Sequence, residues 1–162
     1  MNQLDEKNCM ILNILQKNCR TSLTEIAETV NLSVDSVKKR IHKMLADGIF
    51  VPKIQLRPRV FGFKNIVDIK VKVHNYEEKD LKEFIEFLKN HPAVAELIAL
   101  SGEWDFTLVI IAKDHQDLGT VTDEIRNKFG RIILEWSESL TTRAHKFETY
   151  DMLALKKYYE GR

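Results

Sequence analysis

Residues 22–47 of this 162-residue chain carry two short helical patterns joined by a tight turn, and that spacing constrains the fold more than any other feature. Ser22-Leu23-Thr24-Glu25 is a capping box, in which the Ser side chain accepts from the amide three residues on and the Glu reaches back to the Ser amide. Ile26, Ala27 and Val30 make a short apolar stripe. Asn31 tolerates the left-handed conformation that a tight turn needs. Ser33 is placed to cap a second helix. Val34, Val37, Ile41 and Met44 recur on one face of that helix, which predicts that all four point inward. The other face carries Asp35, Ser36, Lys39, His42 and Lys43. This is the layout of a helix-turn-helix whose second helix presents a polar, mostly basic face to a DNA major groove.

The surrounding residues extend the module. Leu4-Asp5 starts a first helix with Ile11, Leu12 and Leu15 on its apolar edge, and Leu4 is a candidate staple before the cap. Asp47-Gly48 ends the second helix of the pair, with Gly48 in a left-handed position. Ile49-Phe50-Val51 and Ile54-Gln55-Leu56 read as two strand pieces around Pro52-Lys53, which predicts a winged variant with Lys53 at the wing tip. Ser33, Asp35, Ser36, Lys38, Lys39, Arg40, Lys43 and Lys53 are the candidate DNA contacts. Lys38 and Arg40 lie nearer the flanks, suited to holding phosphates or bracing the helix.

Charge is divided unevenly. Residues 1–60 hold ten Lys/Arg against six Asp/Glu, whereas residues 61–162 hold fifteen against eighteen. A basic N-terminal part beside an acidic C-terminal part suits a DNA-binding module joined to one that does not touch DNA. Residues 57–64, with Pro58 and Gly62, read as a semi-ordered hinge. The predicted divisions are a DNA-binding domain at 1–56, the hinge at 57–64, a second domain at 65–146 and an extension at 147–162.

The second domain has a definite element order. Val67, Ile69, Val71 and Val73 alternate with polar residues, marking a strand buried on one face. Leu81, Phe84, Ile85 and Leu88 make a helix face ended by Asn90-His91-Pro92. Val94–Leu100 and Trp104–Ala112 are strands around a Ser101-Gly102-Glu103 turn, the latter apolar on both faces and so central. Leu118, Val121, Ile125 and Phe129 make a second helix closed by Gly130. A last strand lies within Ile132–Arg143. The order βαββαβ predicts an α+β, ferredoxin-like domain with helices on one face of an antiparallel sheet. The open face needs a cover, and self-association is the natural one. In the extension, Met152, Leu153, Leu155, Tyr158 and Tyr159 predict a helix packed on the domain or on a partner.

No apolar run is long enough to span a bilayer, and the first residues form no apolar signal segment, so an intracellular, cytoplasmic location is expected. Cys9 and Cys19, about 15 Å apart along a helix axis, lie beyond disulfide reach. The histidines at 42, 74, 91, 115 and 145 show no metal-ligand spacing, and no Cys-x-x-Cys, P-loop or Gly-x-Gly-x-x-Gly is present. No catalytic set, metal or cofactor is expected.

These residues together resemble the Lrp/AsnC, or feast/famine, family of transcription regulators. The resemblance is carried by Leu4-Asp5, Ile11-Leu12, Leu15-Gln16, Arg20, Ile26-Ala27, Leu32-Ser33, Val37, Arg40-Ile41 and Gly48-Ile49, and later by Gly102-Glu103-Trp104-Asp105, similar to a Gly-x-aromatic-Asp turn of the family's regulatory (RAM) domain. It covers about residues 4–146. It implies a regulator of double-stranded DNA that pairs through its sheets into homodimers, which assemble further, often into octamers. It also implies a small-molecule effector, an amino acid, bound between dimers near that turn. Ser101, Gly102, Glu103, Trp104 and Asp105 are the effector candidates by this resemblance; family members also present a Thr or Ser after the last helix, and although Ile133–Ser139 does not align with that pattern, its Ser137 and Ser139 are the candidates there. The chain departs from the family at Asn8, often Asp, at Leu45, often Glu, and at Asn31, usually Gly. Two alternatives stand beside the regulator. The related sirohaem decarboxylases share the architecture, with His74-Asn75-Tyr76 as a faint echo of their site. An effector-independent architectural DNA-binding protein is the other.

Overall fold

The computed structural model describes residues 4–161, which fall into two compact units. The first runs up to Gln55 and resumes at His145; the second is Leu56–Ala144. The chain therefore enters the first unit twice.

In the first unit, α1 (Glu6–Lys17), α2 (Leu23–Val30) and α3 (Val34–Ala46) begin at three local caps. Asp5 accepts from the Asn8 amide, Ser22 from Glu25 and Ser33 from Ser36. Each cap satisfies one of the orphan amides at a helix start. Asn31 ends α2 at φ 54, ψ 59, the left-handed turn expected of it, and Gly48 has φ +69. The helices close on Ile11, Leu12, Ile26, Ala27, Val30, Val37 and Met44, with Leu4 packed against the edge. Burying each large side chain stabilises the unit by about 1.5–3 kcal/mol. Val34 departs from the expected inward face and is 42% exposed. It sits in the first turn of α3, before that helix reaches the core.

The wing does not form. Ile49 and Phe50 pack on the helical core, but no strand is present at 49–51 or at 54–56. Two-residue hairpin turns require positive φ at the first central residue, and Pro52 is locked near −65° and lacks an N–H. The Lys53 amide instead donates to the Val51 carbonyl at 2.9 Å, and Val51, Ile54 and Leu56 are left exposed. Lys53 thus closes a three-residue turn outside any strand and does not lie at a wing tip.

The extension from His145 belongs to this unit. Its helix α6 (Met152–Glu160) is capped by Asp151, lies against α1, and adds Met152 to the rim of the helical core. Leu155, Tyr158 and Tyr159 stay exposed at 40%, 54% and 63%.

The second unit opens on a 3-10 turn, Pro58–Phe61, stopped by Gly62 at φ 110. Here Arg59 is tied by its guanidinium to the carbonyls of Thr141 and Thr142. Then follow β1 (Asn65–Val73), α4 (Glu78–Asn90), β2 (Val94–Ala99), β3 (Phe106–Ala112), α5 (His115–Phe129) and β4 (Ile133–Leu140). The sheet order is β2-β3-β1-β4, with all neighbours antiparallel. This is the expected βαββαβ arrangement, and β3 is indeed interior. One sheet face supplies Val67, Ile69, Val71, Phe106, Leu108 and Ile110 to a core completed by Phe84, Leu88, Val121, Ile125 and Phe129 from α4 and α5. Gly130 closes α5 without a left-handed φ; a Cβ there would meet the Arg126 carbonyl oxygen at 2.6 Å.

The opposite sheet face is uncovered within the unit. Strand alternation and register place Ile66, Asp68, Lys70 and Lys72 of β1 on it, with Thr107, Val109 and Ile111 of β3, Ile98 of β2 and Ser137 and Ser139 of β4.

Candidate functional site

The reader face of α3 is open. Lys38, Lys39, His42 and Lys43 are exposed, Ser33 caps the helix, and its hydroxyl also donates to the Ser36 hydroxyl at 2.8 Å. Lys39 pairs with Asp35 at 2.8 Å and Lys43 with Asp47 at 2.9 Å. Such exposed i,i+4 pairs contribute only about 0.3–0.5 kcal/mol, so they yield readily to a phosphate. A groove of about 580 Å³ runs beside this face, lined by the N-cap Asp5 and by Asn8 of α1 and by Ser36, Lys39, Arg40 and Lys43 of α3.

Arg40 has a different setting. Its guanidinium donates to the Asp5 carboxylate at 2.5 Å and to the Asn8 side-chain oxygen at 2.8 Å. It braces α3 against the start of α1, the second of the two roles expected for it. Burial pushes the Asp5 carboxyl up, but the Asn8 amide and the Arg40 guanidinium together hold it below its usual range. A depressed carboxyl contributes fully above its ordinary pKa and loses that contribution as pH falls through the folded value, so the brace is intact at neutral pH. The role of Asn8 was not legible beforehand. Its nearness to Arg40 arises from packing across 32 residues.

In the second unit, Ser101–Asp105 form the β2–β3 turn. Gly102 has φ +138, a conformation that strains any L side chain, though a Cβ there would meet no atom. The Asp105 carboxylate accepts from the Val73 amide at 2.8 Å, and the Asp105 amide donates to the Val71 carbonyl at 3.1 Å. Asp105 therefore fastens the turn to the end of β1. Trp104 is half-buried, while Ser101, Gly102 and Glu103 are exposed.

Ser137 and Ser139 do not join the turn within one chain. They face Lys70 and Asp68 on β4, with β1 between them and β3. Two strand spacings separate β4 from β3, about 10 Å. His74-Asn75-Tyr76 is the turn after β1, with Asn75 at φ 46 and the His74 amide donating to the Ile132 carbonyl. Among the described residues, no group of three or more His, Cys, Asp or Glu side chains is arranged to hold a metal ion, and no helix is long and apolar enough to cross a membrane.

Known proteins share this two-part design. Residues 4–45 match the AsnC-type helix-turn-helix domain, and residues 66–132 match the Lrp/AsnC ligand binding domain. The HTH-type transcriptional regulator LrpA of Pyrococcus abyssi is 38% identical over 130 residues, spanning 80% of this chain and 88% of that protein. The chain belongs to the Lrp/AsnC family. The HTH-type transcriptional regulator LysM of Saccharolobus solfataricus is 26% identical, over 76% of this chain and 84% of its own. An AsnC family transcriptional regulator from Agrobacterium tumefaciens has the same fold at a TM-score of 0.80 and 25% identity, with 91% and 95% of the two chains covered. A Neisseria meningitidis transcriptional regulator, solved as a complex with L-Met, superimposes at a TM-score of 0.80 and 23% identity over 90% and 94%. This Lrp/AsnC protein is thus a helix-turn-helix transcription regulator with a ligand-binding type second domain.

Proposed function

We propose that this regulator reads double-stranded DNA with the exposed face of α3, as an oligomer in the cytoplasm, and that a small molecule bound at the β2–β3 turn modulates its assembly or DNA affinity. The observation that carries the reading is the open Ser33–Lys43 face, whose cations are held only by weak exposed pairs. Ser33, Asp35, Ser36, Lys38, Lys39 and Lys43 are the contacts proposed, with Arg40 as a brace and Lys53 as a phosphate contact from the irregular chain after α3. A Lys39→Ala, Lys43→Ala double variant is expected to lower the slope of log affinity against log salt by about 2, since each phosphate contact contributes about 0.9. An unchanged slope in an anisotropy titration would remove both lysines from the interface.

The minimum unit proposed is a homodimer, with higher assemblies such as an octamer built from it. A symmetric pair of helix-turn-helix modules reads half-sites about 34 Å apart. The uncovered sheet face, with Ile66, Ile98, Val109 and Ile111 among its residues, supports pairing of the second units. Light scattering that finds only monomer at micromolar concentration would contradict it.

The effector class proposed is an amino acid, supported by the matched ligand-binding domain and by the L-Met complex of the Neisseria meningitidis relative. Ser101, Gly102, Glu103, Trp104 and Asp105 are the proposed contacts, and a carboxylate suits an α-ammonium group. Ser137 and Ser139 would join that site only from another copy of the chain. Because Asp105 also accepts from Val73, the informative variant is Asp105→Asn. The amide oxygen keeps the turn bond while the negative charge goes. A thermal-shift screen of the twenty amino acids is expected to find a stabilising ligand for the wild type, and Asp105→Asn is expected to lose that shift while keeping its ligand-free melting temperature. An equal shift in the variant would place the ligand elsewhere.

A further inference from the structure

Four hydrogen bonds hold the extension on α1. The Asn13 amide nitrogen donates to the Asp151 carboxylate at 2.9 Å, and the Met152 amide donates back to the Asn13 oxygen at 2.8 Å. Gln16 receives the Tyr150 amide and donates to the Tyr150 carbonyl, each at 2.9 Å. At the other end of α1, Lys156 of α6 lies close enough to Asp5 and Cys9 to act on both carboxyl and thiol. Asp5, Cys9, Asn13 and Gln16 recur at the spacing of one helix face. So α6 runs antiparallel along a face of α1 distinct from the one that seats α2 and α3.

That seam is thin. No residue of α6 is fully buried, and only Met152 reaches the helical core. Yet Cys9 on the same face is 1% exposed and lies outside the cluster formed by Ile11, Leu12 and their partners. The thiol lies 3.9 Å from the Leu4 carbonyl, and Lys156 of the extension is near enough to act on it electrostatically. The opposite end of the extension is covalently continuous with β4, the edge strand bearing Ser137 and Ser139. At the far end of the seam, Asp5 bonds Arg40 of the reader helix.

We infer that α6 is a reversible strap: docked on the Asp5–Cys9–Asn13–Gln16 face it holds α1 and, through Asp5, the reader helix in its DNA-binding arrangement, and its release lowers DNA affinity. The strap gives the regulatory unit a second covalent line to the reader, separate from residues 57–64. Thin polar docking suits a switch, because elements that move in allostery come from the low-stability end of a fold. The inference rests on the reading of α3 as the DNA reader, and the first arm of its test does not.

Cys9 reports the strap directly. In full-length protein, a colorimetric disulfide reagent is expected to label exposed Cys19 at once and Cys9 slowly. Asn13→Ala with Gln16→Ala removes the polar docking while improving the helix propensity of α1. This double variant is expected to label Cys9 about tenfold faster or more, with helix content by circular dichroism preserved. Equal labelling of Cys9 in variant and wild type would end the strap proposal, whatever the protein does with DNA. The second arm uses a labelled duplex of the region upstream of the gene at low salt, where sequence-independent binding also registers. The double variant is expected to bind it at least about fivefold more weakly, and by reciprocity the duplex must slow Cys9 labelling in the wild type by a matching factor. Faster labelling with unchanged affinity, or labelling indifferent to DNA, would leave α6 a structural prop and overturn its regulatory role.

Discussion

Val37→Asp is expected to abolish DNA binding while leaving the second unit folded and able to self-associate. Val37 is fully buried in α3, packed with Ile11, Ile26, Val30 and Met44. A carboxylate there has no cation partner in the core, and an uncompensated buried charge costs about 3–5 kcal/mol. A small helical unit has little stability to lose on that scale. The helix that carries Ser36, Lys39 and Lys43 would lose its seat, and the side chains their common direction. The core of the second unit shares no residue with this cluster, so its sheet should persist. Calorimetry is expected to show the transition of the first unit lost and that of the second retained. A Val37→Asp protein that binds DNA within a few-fold of wild type would show that α3 is not the reader.

The largest stability effect is expected at Phe84→Ala in the second unit. Phe84 is fully buried beneath the sheet, with its ring edge-to-face on Phe106 at 5.8 Å and on Phe129 at 5.2 Å between centroids. Phe129 in turn meets Phe87 at 5.3 Å. Truncation removes the ring that joins α4, β3 and α5 and leaves a cavity, at a cost of about 3–5 kcal/mol. For a domain of this size that lowers the melting temperature by about 15 °C or more. Urea unfolding is expected to show a lower midpoint with little change in slope. If self-association depends on the opposite sheet face, the dimer constant should weaken with the fold and not independently of it. A loss below about 1 kcal/mol would mean that the aromatic cluster does not hold the helices to the sheet.

Much of this was written in local sequence. The three N-terminal helices start where Asp5, Ser22 and Ser33 stand, because an N-cap is decided within four residues. The turn of the helix-turn-helix follows from Asn31, and the βαββαβ order from alternation and helix-period patterns between clear breaks. The Lrp/AsnC resemblance was equally legible, since it rests on those same core and cap positions. The basic face of α3 was visible as what remained after the apolar positions were assigned.

Other features were beyond local reading. Ile49–Val51 and Ile54–Leu56 look like strands in composition, but a strand exists only where another supplies its ladder, and Pro52 prevents the short hairpin that would do so. Val34 has the right period for the core but lies past its edge. Arg40 reads as either a phosphate contact or a brace, and the brace is decided only when Asp5 and Asn8 are brought to it from 35 and 32 residues away. Asp105 reads as a ligand group, yet its carboxylate is engaged by the Val73 amide of a neighbouring strand. The return of α6 to α1 joins Asn13 to Asp151 across 138 residues, and no periodicity encodes that pairing. Sequence determined what each segment is, because caps, turns and periodicities act over a few residues. Tertiary structure decided which polar groups are free and which are engaged, because those partners meet only when distant segments pack.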